Sequence, residues 1–187
     1  MTELAFVSGL QHLVLLSPML IAIAVFMARW LIIAFAPLAA FCFFQGKNGK
    51  HAVGEAIWAL LIALIVTSLI ASAVQRPRPF NAVPDPETPI MRLIPPPYNT
   101  SFPSGHTAAA SALAASLLYV NRRVGFMSVA TVALVALGRI LVGVHYPTDI
   151  LGGLVVGIAS FALVRWFHRL IRRRDITRSA RTHHHPT

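Results

Sequence analysis

The sequence predicts an all-α, integral-membrane bundle of about six helices, and three observations predict it. Hydrophobic residues fill 56% of the 187 positions and charged residues only 12%, whereas a soluble domain spends about a quarter of its residues on charge. Mean hydropathy is +0.69, so the chain lacks the polar material to cover a water-facing surface. The apolar residues also fall into runs of membrane-spanning length, and basic residues, glycine and proline occupy the breaks between them. The length fits a single domain over 1–187.

Taken in order, residues 1–28 carry no Asp, Glu, Lys or Arg after Glu3, but Gln11-His12 and Pro18 interrupt the run. They hold an N-terminal helix that either crosses the membrane or lies in its surface. Met1-Thr2-Glu3-Leu4 has no basic n-region and no small-residue cleavage site follows, so this stretch does not read as a removable signal peptide. A run over 30–45 ends at the basic, glycine-punctuated turn Gln45–Lys50, and a third run covers 52–75 with Glu55 near its start. Glu55 has two readings, a pair with a basic loop residue or a place at the interface.

Residues 76–103 are different in kind, with Pro77, Pro79, Pro84, Pro86, Pro89, Pro95, Pro96, Pro97 and Pro103. No α-helix survives that proline density. Loops longer than about 12–15 residues are uncommon in compact domains and are often lids or binding loops, so 76–103 is read as an active-site loop. Apolar runs resume over 104–120, 124–144 and 147–170, and a polar basic tail occupies 172–187. Gly153 and Gly157 form a small-xxx-small pair suited to helix packing.

Charge sets orientation and excludes other classes. If the runs alternate, Lys47, Lys50, Arg122, Arg123 and the arginines from Arg165 to Arg181 share one side. That side should be cytoplasmic, with the tail, and the proline-rich loop and Val144-His145-Tyr146 should face the other way. The net charge of +10 does not indicate nucleic acid, because the basic residues lie between and after apolar runs rather than in one patch interleaved with aromatics. The single Cys42 has no intrachain partner and is read as packing.

The face opposite the basic turns collects Arg76-Pro77-Arg78-Pro79, Pro103-Ser104-Gly105-His106, and Gly138-Arg139 followed by His145 and Asp149. Ionisable groups at membrane depth are costly and mark function by default. Ser104 stands at an N-cap position, where free N–H groups and the positive dipole end suit an anion such as phosphate. Gly105 admits a ligand close to the backbone, and His106 in the first turn can touch it. Asp149, four residues after His145 and behind Pro147, can accept Nδ1–H and turn Nε2 toward the site, or it can simply complement the helix dipole. Arg78 and Arg139, with Arg76, offer planar forks for phosphate.

A metal-dependent phosphatase needs several hard oxygen ligands, and this face offers only Asp85, Glu87, Asp149 and Glu3. Chemistry without a metal or other cofactor is therefore expected. His183-His184-His185 lies in the tail, on the other side from the site, and is read as disordered tail.

Together these motifs resemble the type 2 phosphatidic acid phosphatases, the PAP2 superfamily. The motifs of that family end in Arg-Pro, read Pro-Ser-Gly-His, and read Ser-Arg, five residues, His, three residues, Asp. The matching positions are Arg78-Pro79, Pro103–His106 and Gly138-Arg139…His145…Asp149, covering about Ala71 to Asp149. Two positions depart from the pattern. Ala71 stands where the family's lysine falls, seven residues before Arg78, and Gly138 replaces the third motif's serine. Arg76 is the candidate to replace the lysine, and the chain resembles the bacterial undecaprenyl-diphosphate phosphatase branch.

The resemblance implies a haloperoxidase-like helical fold, His145 as nucleophile, Asp149 as its orienting group and His106 as general acid. Arg78, Ser104, Gly105, Arg139 and Arg76 would hold phosphate. It further implies a multi-pass protein of the bacterial inner membrane that hydrolyses a lipid phosphate or diphosphate on the extracytoplasmic face, most plainly undecaprenyl diphosphate. Alternatives within the same chemistry are phosphatidic acid, phosphatidylglycerol phosphate and lipid A phosphate. From a different class, a small anion transporter would also use broken helices and buried arginines, but it does not need a His–Asp pair and a second histidine. An inactive scaffold would need none of the three. Oligomeric state is left open.

Overall fold

A computed structural model describes the backbone of residues 2–82, 89–95 and 100–182, with side chains as far as 172. Among the described residues there are seven α-helices and no strand: α1 Glu3–Leu15, α2 Pro18–Arg29, α3 Phe35–Phe44, α4 Lys47–Val74, α5 Gly105–Val120, α6 Arg122–Leu141 and α7 Pro147–Thr182. Single 3-10 turns occupy Leu31–Ala34 and Pro79–Asn81. Asp85, Glu87 and His183–His185 lie outside the described residues.

The number of helices long enough to cross differs from the sequence expectation, and so does the length of the last helix. Among the described residues three helices, α4, α6 and α7, are long and apolar enough to cross a membrane. The run at 30–45 is not a separate span: α2 and the segment Leu31–Phe44 form one candidate span, bent by 53° at a short break. At 1.5 Å per residue, the 13 residues of α1 reach about 20 Å, short of a hydrocarbon core of about 30 Å. At the other end, α7 continues through the expected polar tail to Thr182.

Capping explains several boundaries. The Asn121 side chain accepts from the Arg123 and Val124 N–H groups at 3.0 and 3.2 Å and starts α6. Gly143, at φ +75°, closes α6 in a conformation open to glycine, where a Cβ would also stand 2.7 Å from Ile90 Cγ2. Gly46, at φ +103°, turns α3 into α4.

The core is built from small residues around α5, which buries Ala108, Ala110, Ala112 and Ala114 together with Ser111 and Ser116. The two serine hydroxyls donate to the carbonyls of Ala108 and Ala112, both at 3.1 Å, so neither is left unsatisfied. Lipid is as apolar as leucine, so helices associate in a bilayer through close packing rather than hydrophobic burial. Large side chains such as Trp58, Ile65, Phe126, Val155 and Trp166 accordingly point outward and are exposed.

The tightest approach is α7 against α5. A Cβ on Gly153 would stand 2.6 Å from the Ser104 carbonyl oxygen, and one on Gly157 would fall within the van der Waals radii of Ser111 Oγ and the Ala108 carbonyl. Gly157→Ala should destabilise the protein by about 1–3 kcal/mol through overpacking, read as a lower thermal midpoint in detergent. An unchanged midpoint would mean that α7 does not pack this closely.

Candidate active site

One end of the bundle gathers the chemistry. The C-terminus of α6 supplies Arg139, the following turn supplies His145, and the first turn of α7 supplies Asp149. The start of α5 supplies Ser104, Gly105 and His106, and the extended stretch after α4 supplies Arg76 and Arg78. Gln75 ends α4 in the left-handed region at φ 46°, and Pro77 and Pro79 then hold the chain extended. The Ser101 N–H donates to the Arg76 carbonyl at 2.7 Å, closing the base of the proline-rich loop.

Asp149 is fully buried and its carboxylate is surrounded by donors. Oδ1 accepts from Arg76 Nη1 at 2.8 Å. Oδ2 accepts from the Tyr146 N–H at 2.8 Å and, in a short contact, from the Ser101 hydroxyl. His145 Nδ1 stands 3.5 Å from the same Oδ2, beyond the usual ~3 Å, and makes no hydrogen bond among the described residues; catalytic contacts of this kind often tighten into hydrogen bonds when substrate binds.

On the other edge of the ring, His145 Nε2 lies 3.4 Å from Arg139 Nη2. An arginine can only donate, so Nε2 is the accepting nitrogen and the proton sits on Nδ1, toward Asp149. His145 lies between spans, and burial pushes its pKa down to about 4; Asp149 opposes the shift, while Arg139 and Arg78 add to it. The ring is therefore neutral at neutral pH.

The arginines differ in their engagements. Arg139 is 2% exposed, donates from Nη1 to the Ala28 carbonyl at 3.3 Å, and has an Nε without a hydrogen-bond partner among the described residues. Arg78 is buried and donates to the Val144 carbonyl at 2.8 Å. Arg76 gives its guanidinium to Asp149, to Thr148 Oγ1 at 2.6 Å and to Glu3 Oε2 at 2.7 Å, and stacks on Tyr146 at 4.0 Å.

Ser104 occupies the N-cap position but makes no side-chain capping bond; its hydroxyl accepts from Thr107 Oγ1 at 3.0 Å. Its N–H donates to the Asp149 carbonyl at 3.0 Å, tying the starts of α5 and α7 together. The first helical bond runs from the Ala108 N–H to the Ser104 carbonyl, and the N–H groups just before it have no helical acceptor.

A cavity of ≈ 760 Å³ joins these pieces. Arg78, Gly105, His106, Arg139 and His145 line its polar end, and Ile32, Leu60, Leu64 and Ala109 line its apolar walls. Ala71, where the family lysine would fall, is on the wall, whereas Arg76, Ser104 and Asp149 are not among the lining residues. Among the described residues no group of three or more His, Cys, Asp or Glu side chains is arranged to hold a metal ion.

Three contributors were not singled out from the sequence. Ser101 carries no spacing signal. Glu3 reads in the sequence only as an oxygen ligand for a metal, yet it holds Arg76 and Thr148. Gln11, which reads as an interruption of an apolar run, is 1% exposed and exchanges hydrogen bonds with the Met91 backbone at 2.7 and 2.6 Å. All three depend on contacts between segments far apart in the chain.

The family model of the PAP2 superfamily matches residues 52–173. The chain is 35% identical over 168 residues to the undecaprenyl-diphosphatase BcrC of Bacillus subtilis (strain 168), covering 89% of this chain and 82% of that one. The crystal structure of Aquifex aeolicus LpxE superposes with a TM-score of 0.65 at 26% identity, over 79% of this chain and 86% of that one. A transmembrane PAP2-type phosphatidylglycerolphosphate phosphatase from Bacillus subtilis shares the fold, with a TM-score of 0.59 at 22% identity over 88% and 85% of the two chains. Matched by the family model across α4 to α7, with apolar helices long enough to cross a bilayer, the chain belongs to the PAP2 superfamily and is a multi-pass membrane phosphatase.

Proposed function

We propose that this phosphatase hydrolyses undecaprenyl diphosphate to undecaprenyl phosphate through a phosphohistidine at His145. The observation that carries the reading is the single cavity on which His145, His106, Arg78 and Arg139 meet an apolar wall. The identity with a curated undecaprenyl-diphosphatase supports the choice of lipid.

The chemistry follows from the groups present. The Nε2 lone pair attacks the terminal phosphorus, and the bond from phosphorus to the bridging oxygen breaks. The electron pair goes to that oxygen, which takes a proton from His106. Arg78, Arg139 and the N–H groups at the start of α5 receive the equatorial oxygens, where phosphoryl transfer accumulates charge. Water then attacks the phosphohistidine as His106 takes its proton, and the phosphorus–nitrogen bond breaks to release phosphate. Asp149 holds the ring, and Arg76 acts as a positioning residue through Asp149 and Glu3.

The test is phosphate release from undecaprenyl diphosphate in detergent with EDTA present, with phosphatidic acid, phosphatidylglycerol phosphate and lipid A as competitors. Release confined to the polyprenyl substrate supports the reading. Preference for another lipid phosphate moves the substrate, and a strict requirement for Mg²⁺ overturns the metal-free route. Lys47, Lys50, Arg122, Arg123 and Arg165 lie toward the opposite end of the helices from the cavity, which supports an extracytoplasmic site and a cytoplasmic tail in an inner membrane.

Two predictions arise here. Arg76→Ala should lower kcat by about 10-fold to 100-fold with KM little changed, because second partners of a ligating or catalytic group typically carry that much. A raised KM with unchanged kcat would instead make Arg76 a substrate contact. For pH, a histidine depressed from 6.5 to about 4 contributes stability that is complete above pH 6.5 and is lost as pH falls through about 4. The acid limb of kcat/KM should accordingly lie near pH 4, with thermal stability declining over the same window. An acid limb at the ordinary histidine value would show that His145 is solvated.

A further inference from the structure

The opposite end of the bundle carries a second cavity, of ≈ 450 Å³, between α4, α5 and α7. Glu55 lies in the first half of α4 and Gln75 caps its far end, and a 20-residue separation at 1.5 Å each puts about 30 Å between Glu55 and the mouth of the active site at Gln75. Glu55, 4% exposed, forms its floor. It accepts from Arg165 Nη1 at 2.8 and 3.1 Å and meets His168 Nδ1 at 2.8 Å, while the Arg165 guanidinium stacks on Tyr119 at 3.8 Å. The charge of Glu55 is thereby consumed by its own partners. His51, Arg169 and Arg172 also line the cavity, and no acid among the described side chains answers them.

The cavity is not only basic. It shares His168 and Ile171 with an apolar groove of ≈ 260 Å³ between α4 and α7, lined by Trp58, Ile62, Leu163 and Phe167. Trp58 is 62% exposed and Phe167 52% exposed, so the groove faces outward, where lipid would be. A positive pocket running into a hydrocarbon-lined groove matches a phosphate headgroup joined to an acyl chain. Basic pockets between helices recognise anionic headgroups in this way, and tryptophan favours the interface between headgroup and chain. A free anion would have no use for the groove, and an uncharged lipid none for the arginines.

We propose that this end of the bundle is a binding site for one anionic phospholipid of the leaflet opposite the active site, with its phosphate between His51, Arg169 and Arg172 and a chain along Trp58 and Phe167. The lipid bridges α4 and α7, whose other ends line the catalytic cavity and supply Asp149. This site is independent of which lipid phosphate is hydrolysed.

The test is native mass spectrometry of the full-length protein in detergent, with phosphatidylglycerol and phosphatidylcholine of matched chains. The expected result is retention of one phosphatidylglycerol in preference to phosphatidylcholine. An Arg169→Gln, Arg172→Gln double variant should lose roughly 25-fold in retention, since each arginine facing an anionic lipid contributes about a factor of five. His51→Gln on α4 gives a second reading from another helix, and an unchanged thermal midpoint shows that each variant is folded. Equal retention of the two lipids, undiminished retention in both folded variants, or displacement of the lipid by excess inorganic phosphate would overturn the proposal.

Discussion

His145→Ala should lower phosphate release from undecaprenyl diphosphate by at least about 10⁴-fold in kcat, the scale on which removing a nucleophile acts. His145 has one ring nitrogen aimed at Asp149 and the other at Arg139. The hydroxyls lining the same cavity, Thr67, Ser68, Ser72 and Thr100, have no comparable base: Ser68, Ser72 and Thr100 donate to backbone carbonyls, and Thr67 Oγ1 has no hydrogen-bond partner among the described residues. None of them can substitute. Rapid quenching with labelled substrate should trap an acid-labile phosphoprotein in the native enzyme and none in the variant. His106→Ala should slow turnover by about 10²-fold to 10⁴-fold, the usual contribution of a general acid, yet still form the intermediate. A His145→Ala enzyme working within tenfold of the native rate would end the phosphohistidine reading.

Arg139→Ala should cost about 10³-fold or more in kcat/KM, the lower range for an arginine that stabilises a phosphoryl-transfer transition state. The side chain is buried beside His145 Nε2, and its Nε has no partner among the described residues, so donor capacity is available where the equatorial oxygens would lie. Arg139→Lys should restore little, because a point charge cannot reproduce a planar fork. Added guanidinium should recover part of the alanine variant's rate. Full activity in the lysine variant would mean that only the charge is used, and full activity in the alanine variant would remove Arg139 from the site.

The proposed catalytic constellation is legible in the sequence because its members are local. Arg139, His145 and Asp149 lie within one helix end, one turn and one helix start, so their spacing has geometric meaning before any fold is known. Ser104, Gly105 and His106 follow for the same reason. Arg76 and Arg78 are separated by one residue and look interchangeable in the sequence, but one line of contacts sends Arg76 to Glu3 and Asp149 while Arg78 stays on the cavity wall. Glu55 was visible as an acid in an apolar run, and only the packing of α4 on α7 gave it Arg165 and His168.

Composition and hydropathy by themselves determined that the chain is a helical membrane protein, because an uncovered apolar surface of this size has no stable place in water. Motif spacing by itself determined which residues could form a phosphoryl-transfer site. Tertiary structure alone decided that the run at 30–45 joins α2 in one bent apolar pair, that α1 is too short to cross, and that Ser101 and Arg76 brace Asp149 while Glu3 holds Arg76. The reason is physical. Helix periodicity and end signals are written into neighbouring residues, whereas a bend between packed helices and a buried ion pair form between segments whose separation along the chain carries no record of their distance in space.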